Sequence, residues 1–293
     1  MVRRELHEEN RLAWNEATLA HNSHKHDQAR FLREGGSPLF PEEIELLGDV
    51  AGRRLVHLQC NSGQDSLSLA QRGALVTGVD ISDAAIAFAR QLSEESGIPA
   101  TFERMDVYDW LARTAQSEKR YDVAFSSYGA LCWLSDLKAW AIGVAEVLAP
   151  GGRLVVVEFH PFVMVYDEQW RLAYPYFGDG QSLTWEDGIG DYVADAGEAL
   201  APSGYEQGVQ GFVNPHPSHE FQWGLGEVVS AVLEAGLTLT ALHEYPYANG
   251  AKLLAGMRET PGRRMIPPEG MPSLPLMYGL AAHKERISPG GGC

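Results

Sequence analysis

Basic residues are scarce in this chain: 23 Lys and Arg stand against 39 Asp and Glu in 293 residues, a formal charge of −16. A duplex nucleic-acid binder needs a basic footprint, and an anionic membrane surface repels an acidic chain. The balance therefore speaks against both partners and favours a neutral or cationic small molecule. Cysteine is scarce too. Cys60, Cys132 and Cys293 are too few and too scattered for a disulfide framework or a zinc site, so no metal is expected. No apolar run approaches the roughly 18–20 residues of a membrane span, and the opening MVRRELHEEN lacks the apolar core of a signal peptide. Internal repeats are missing. Ordinary core material is plentiful, with 45% hydrophobic and 10% aromatic residues, enough for a full globular interior. These features describe a cytoplasmic enzyme acting on a small molecule, with monomer and homodimer both left open.

The pattern along the chain alternates. Residues 1–40 are polar and helix-prone, with Leu6, Ala13, Trp14 and Ala17 sharing a helix face, and they end in a Gly-Gly-Ser-Pro break. A helix starts at Pro41 with Glu42 and Glu43 at its positive end and stops at Gly48. Strands are then expected at Arg54–Cys60, Ala74–Val79, Thr101–Arg104, Tyr121–Ser126 and Arg153–Phe159. Helices fall between them at Ser66–Arg72, Asp83–Glu95 and Asp136–Leu148. This rhythm implies right-handed crossovers and a mostly parallel sheet with helices on both faces. From Pro161 to Trp223 the period disappears while aromatics crowd in, which marks a substrate cap inserted into the domain. A helix at Glu227–Glu234 and strands at Leu237–Tyr245 and Leu276–Ala282 resume the pattern. The expected organisation is a lid at 1–40, a core at 41–160, a cap at 161–223, the rest of the core at 224–286 and a flexible tail at 287–293.

The chemistry concentrates at strand ends. His57-Leu58-Gln59-Cys60-Asn61-Ser62-Gly63-Gln64-Asp65 is a strand running into a tight turn and a helix. Asp80 closes the second strand, followed by Ile81, and there a carboxylate can accept hydrogen bonds from both hydroxyls of a ribose. Asp106 and Val107 follow the third strand, where a carboxylate would meet an adenine amino group. A helix end, a Pro150-Gly151-Gly152 turn and a strand complete the set. The first turn is not GxGxxG, so the phosphate cradle of a dinucleotide site is missing.

In this order, the turn, ribose acid, adenine acid and Pro-Gly-Gly turn resemble the class I S-adenosylmethionine-dependent methyltransferases. The resemblance covers about Pro41–Phe159 with the last helix and two strands. It implies a Rossmann-like α/β fold with seven strands, the last antiparallel, and S-adenosyl-L-methionine as cofactor. The positions matching that family's D-x-G-x-G-x-G are His57, Gln59, Asn61 and Gly63. Asn61 tolerates a left-handed backbone and Gln59 does so less readily. The run from His57 to Asp65 resembles a bacterial branch acting on small molecules, antibiotic-tailoring enzymes included. The implied cofactor contacts are Gln59, Cys60, Asn61, Gly63, Asp80, Ile81, Asp106, Val107 and Ser126, with Trp14 as a lid aromatic.

Methyl transfer to an amine or hydroxyl needs alignment and a route for the proton. His160 at a strand end is the first candidate base and His219 in the cap the second. Tyr128, after the fourth strand, could face the sulfonium through its ring. Two rivals stay open: an NAD(P)-dependent oxidoreductase, and a module that binds S-adenosylmethionine without turning anything over.

Overall fold

The computed structural model describes residues 1–286, so the tail expected at 287–293 lies outside the described residues. The chain opens with helices α1 (Arg4–Ser23), α2 (Gln28–Arg33) and α3 (Pro41–Leu47). The alternating segment follows as β1 (Arg54–Leu58), α4 (Gln64–Gln71), β2 (Leu75–Asp80), α5 (Asp83–Ser96), β3 (Thr101–Arg104), α6 (Val107–Ala115), β4 (Tyr121–Ser127), α7 (Leu137–Val147) and β5 (Leu148–Phe159). The aperiodic stretch holds β6 (Ser182–Trp185), α8 (Tyr192–Ala196) and β7 (Ser218–Phe221). The chain then returns through α9 (Leu225–Glu234), β8 (Leu237–Tyr245), β9 (Ala248–Asn249), β10 (Arg258–Thr260), β11 (Arg264–Ile266) and β12 (Met277–Lys284).

Seven strands form one sheet in the order β3-β2-β1-β4-β5-β12-β8. β1, β2, β3, β4 and β5 pair in parallel, and β12 runs antiparallel between β5 and β8. The Rossmann-like α/β fold and its antiparallel last strand are therefore as expected. Val155, Val156 and Val157 on β5 are buried on both faces, as a central strand covered by helices on either side requires. On one face Trp110 of α6 and Trp140 of α7 fill the core, each fully buried. The Pro-Gly-Gly turn lies inside β5, where a Cβ on Gly152 would stand 2.9 Å from the Ala149 carbonyl and 3.0 Å from that of Tyr121. Only glycine lets the backbones close there.

Helix starts follow from side-chain caps. Ser82 accepts from the Ala85 amide at 3.1 Å to start α5, and Asp106 accepts from the Tyr108 amide at 2.8 Å to start α6. The helix α6 was not anticipated. The aperiodic stretch is built on a two-stranded antiparallel ribbon, β6 with β7, that packs against α1. The excursion between β8 and β12 is a small three-stranded sheet, β10-β11-β9. Among the described residues no helix is long and apolar enough to cross a membrane.

Candidate functional site

A cavity of about 870 Å³ opens at the carboxyl ends of β1, β2 and β4, roofed by α1, by the stretch between β5 and α9, and by the β9–β11 sheet. Parallel α/β sheets place ligands at this edge.

The turn after β1 shapes one wall. Gln59, Asn61 and Gly63 take φ of 56°, 47° and 78°, so all three occupy the left-handed region. Gln59 adopts that backbone with its side chain anchored, its Nε2 donating to the Ala130 carbonyl at 2.7 Å. Asn61 steadies the turn by accepting from the Ser62 amide at 2.7 Å. Gly63 lies behind the turn, where a Cβ would meet Ala89 at 2.7 Å and Phe102 at 2.8 Å. It packs the turn against α5 and β3 and does not line the cavity. His57 replaces the family's acid. It is buried between Ser66 Oγ at 2.9 Å from Nδ1 and Ser127 Oγ at 3.3 Å from Nε2, and burial pushes its pKa down to about 3.

Asp80, at the end of β2, accepts from the Asn61 amide (2.8 Å, Oδ2) and the Ser82 amide (2.8 Å, Oδ1). No cation pairs with it among the described residues, and burial raises its pKa to about 6. A carboxylate offers about four acceptor positions, so it retains capacity towards the cavity it lines. Asp106 is more occupied than expected. Its Oδ1 caps α6 and its Oδ2 lies 2.7 Å from Nδ1 of His7, a residue of α1. Burial works to raise its pKa, yet the His7 hydrogen bond keeps the carboxyl below the usual range. His7 stacks on Tyr108 with centroids 5.5 Å apart, and its Nε2 is buried without a partner. An adenine edge would thus meet His7 as well as Asp106.

Of the other expected contacts, Cys60, Ile81, Val107 and Trp14 line the cavity. Ser126 does not: it is fully buried, and alternation along β4 presents Ser127 instead. Tyr128 lines the cavity with φ of 32°, its ring between Phe40 and Phe159 and its hydroxyl accepting from Asn249 Nδ2 at 2.9 Å.

Neither candidate histidine base lines the cavity. His160 turns towards β8 and β12, with Nε2 2.9 Å from Glu244 Oε1 and its ring against Tyr278. His219 turns towards α1, with Nε2 2.6 Å from Glu9 and Nδ1 3.0 Å from Thr184 Oγ1. Its backbone also exchanges two hydrogen bonds with Asn10. It joins the inserted stretch to α1.

Several cavity residues carried no signal in the sequence. Lys25, Glu43, Asp65 and Arg263 come from four separate stretches of the chain and lie close together along the wall. Burial lowers the Lys25 pKa to about 8 and raises the carboxyls of Asp65 and Glu43. Glu43 Oε1 and Gln59 Oε1 are buried without partners. Unsatisfied buried acceptors lining a cavity are the mark of a ligand that donates hydrogen bonds, as the ammonium and ribose of S-adenosylmethionine do. The donor and acceptor set fits that cofactor. Among the described residues no group of His, Cys, Asp and Glu could hold a metal ion.

Residues 56–152 match the family model described as methyltransferase domain. The chain is 31% identical over 118 residues to a ubiquinone biosynthesis O-methyltransferase of Saccharophagus degradans, covering 40% of this chain and 48% of that one. It thus spans about half the length of the curated relatives it matches. Among solved structures, an S-adenosylmethionine-dependent methyltransferase of Mesorhizobium loti superposes with TM-score 0.55 at 19% identity, covering 85% of this chain and 99% of that one. The CcbJ methyltransferase of Streptomyces caelestis gives 0.57 at 14% identity, over 95% and 99%; at these identities the likeness is one of fold. Sheet order, cavity position and the match over the first turn to the Pro-Gly-Gly turn define a Rossmann-like cofactor-binding protein. Over residues 56–152 the chain carries a methyltransferase domain match, and the donors and acceptors of its cavity fit S-adenosyl-L-methionine.

Proposed function

We propose that this protein transfers the methyl group of S-adenosylmethionine to a small molecule, a secondary metabolite, at an amine or hydroxyl. One observation carries the reading. The cavity that holds Asp80 and Asp106 is also lined by Trp14, Trp133, Tyr174 and Trp185, aromatic walls supplied by α1, the β4–α7 turn and the inserted stretch. Residues 1–40 serve as the lid and 161–223 as the substrate cap over the core of 41–160 and 224–286.

When bound, the cofactor supplies an electrophilic methyl carbon and a thioether leaving group. The chain's residues have the remaining tasks. Asp80 would take the ribose hydroxyls, and Asp106 with His7 the adenine edge. Among the described residues the Lys25 ammonium makes no hydrogen bond or ion pair, with Asp65 its nearby opposite charge, and it suits the methionine carboxylate; Asp65 and Glu43 suit the methionine ammonium. Tyr128, Cys132 and Trp133 wall the space in front of the β4 end, hold an acceptor in line and exclude water.

Incubation with methyl-labelled S-adenosylmethionine and a panel of small amines, phenols and alcohols tests the reading. Label appearing in product with matching release of S-adenosylhomocysteine supports it. Binding of NAD with no binding of S-adenosylhomocysteine overturns it.

A further inference from the structure

His219 and Glu220 are neighbours on β7, so their side chains leave the ribbon on opposite sides. His219 pairs across to Thr184 and faces α1; Glu220 pairs across to Leu183 and faces the cavity. The wall around Glu220 is apolar and aromatic, formed by Trp185, Tyr174, Met164 and Cys132, with the Gln222 side chain turned to the Met164 carbonyl. Among the described residues Glu220 has no ion pair within 4.0 Å. The Trp185 indole is a donor beside it, and its Nε1 is itself buried without a well-placed partner. Burial raises the Glu220 carboxyl above its ordinary pKa. Removing a carboxylate from water into such a chamber is costly unless a cation joins it, and along the cavity wall carboxylates outnumber lysines and arginines. β7 also packs on the turn at Leu131–Trp133 that follows the β4 end, which puts the carboxylate beside the proposed transfer point.

We propose that Glu220 is the recognition group and proton acceptor for the substrate, and that the substrate is a primary or secondary amine on a flat apolar skeleton. The inference rests on the methyltransferase reading above and narrows its acceptor to nitrogen. The substrate enters as an ammonium ion and gives one proton to the Glu220 carboxylate. The freed nitrogen lone pair forms the new C–N bond with the methyl carbon as the C–S bond breaks, and that bond's electron pair stays on sulfur as the thioether. The product leaves as the N-methylated ammonium ion, and Glu220 returns its proton to water.

The test uses full-length protein saturated with S-adenosylhomocysteine, whose binding is first verified by calorimetry; failure at that point sinks the cofactor reading and not this one. Benzylamine, phenethylamine and tryptamine are then titrated at pH 7 beside benzyl alcohol, phenethyl alcohol and tryptophol. The expected result is that at least one amine binds about tenfold or more tightly than its alcohol, that Glu220→Gln removes the preference, and that Glu220→Asp retains part of it. Glu220→Gln is nearly isosteric, and an unchanged melting temperature and S-adenosylhomocysteine affinity verify its fold; should it not fold, Glu220→Asp and Glu220→Ala are read instead. No preference for any amine in the native protein, or a full preference surviving in the Gln variant, overturns the proposal.

Discussion

Glu158 on β5 receives the amide of Ala130 at 2.8 Å, and that contact is one of several through which a single carboxylate shapes the loop beyond β4. Its oxygens also accept from the amides of Gly129, Leu131 (3.0 Å) and Phe159 (2.7 Å). The loop it holds carries Tyr128 at φ 32° and offers the Ala130 carbonyl to Gln59. Such strained backbone persists only where its surroundings over-determine it. Glu158→Gln sets an NH₂ against donors that need an acceptor. It should cost about 2–3 kcal/mol of stability and weaken S-adenosylhomocysteine binding as Tyr128 relaxes. Denaturant unfolding with calorimetry on the same variant checks both.

Asp80 gives a pH-dependent prediction. Burial raises its pKa to about 6, while ribose hydroxyls would bond its charged form, so binding releases a proton when pH lies below that value. Affinity for S-adenosylhomocysteine should be flat above about pH 7 and fall towards tenfold per pH unit below 6. Asp80→Ala should lose roughly 1.5–3 kcal/mol of binding at pH 7, and Asp80→Asn should lose the pH dependence. Calorimetry from pH 5 to pH 8 measures all of these, and an unchanged slope in Asp80→Asn would remove Asp80 from the ribose site.

How far the sequence carried this site depends on the kind of element. β5 and β8 could be read directly, because Val-Val-Val and the alternation in Leu237–Tyr245 express burial that a sheet imposes along its own strand. Asp80 and the turn after β1 were legible because their position relative to a strand end determines their role. The lid and cap contacts were not. Whether His219 or Glu220 faces the cavity depends on which side of β7 meets α1, some 210 positions away in sequence, and no local period encodes that. His160 followed the strand-end rule, but β12 and β8 lie on its side of the sheet and draw it to Glu244. Glu158 was visible only as part of an apolar run, since its partners are backbone amides and leave no trace in residue type.

The two histidines yield a paired expectation. His160→Ala should leave kcat and its pH profile as in the native protein, because His160 does not reach the cavity. His219→Ala should leave the pH profile unchanged but raise KM, since it removes the contacts to Glu9 and Thr184 that join the β6–β7 ribbon to α1. Steady-state rates with an identified acceptor across pH 5.5–9 separate these outcomes. Loss of the acidic limb in His160→Ala would restore it as the base.

His57 predicts an acid-sensitive fold. Its pKa falls to about 3 on burial, against about 6.5 in an unfolded chain. Below pH 6.5 the unfolded chain takes up a proton that the folded one refuses, so stability falls as pH drops, by up to about 1.4 kcal/mol per unit until about pH 3. At pH 7 His57→Gln should be the less stable protein, having lost the fit to Ser66 and Ser127. The gap should narrow by up to about 2 kcal/mol at pH 5. Urea unfolding at the two pH values gives the comparison, and a constant gap would mean that His57 titrates in the fold as it does in the unfolded chain.

Trp14 ties α1 to both other walls of the cavity. Its ring packs edge-on against Trp133 of the β4–α7 turn at 5.5 Å and against Tyr192 of α8 at 6.5 Å. Each aromatic pair contributes about 0.5–1.5 kcal/mol beyond simple burial, and both must part for α1 to swing away from the cavity. Trp14→Ala should therefore release S-adenosylhomocysteine about tenfold faster, an opening cost lowered by about 1.4 kcal/mol. Association should change much less, because it starts from a lid already open. Stopped-flow displacement of S-adenosylhomocysteine by excess S-adenosylmethionine, followed by native mass spectrometry or intrinsic fluorescence, measures the release rate directly. Release at the native rate would mean that the cofactor leaves without α1 moving, and that Trp14 is an anchor of its own helix.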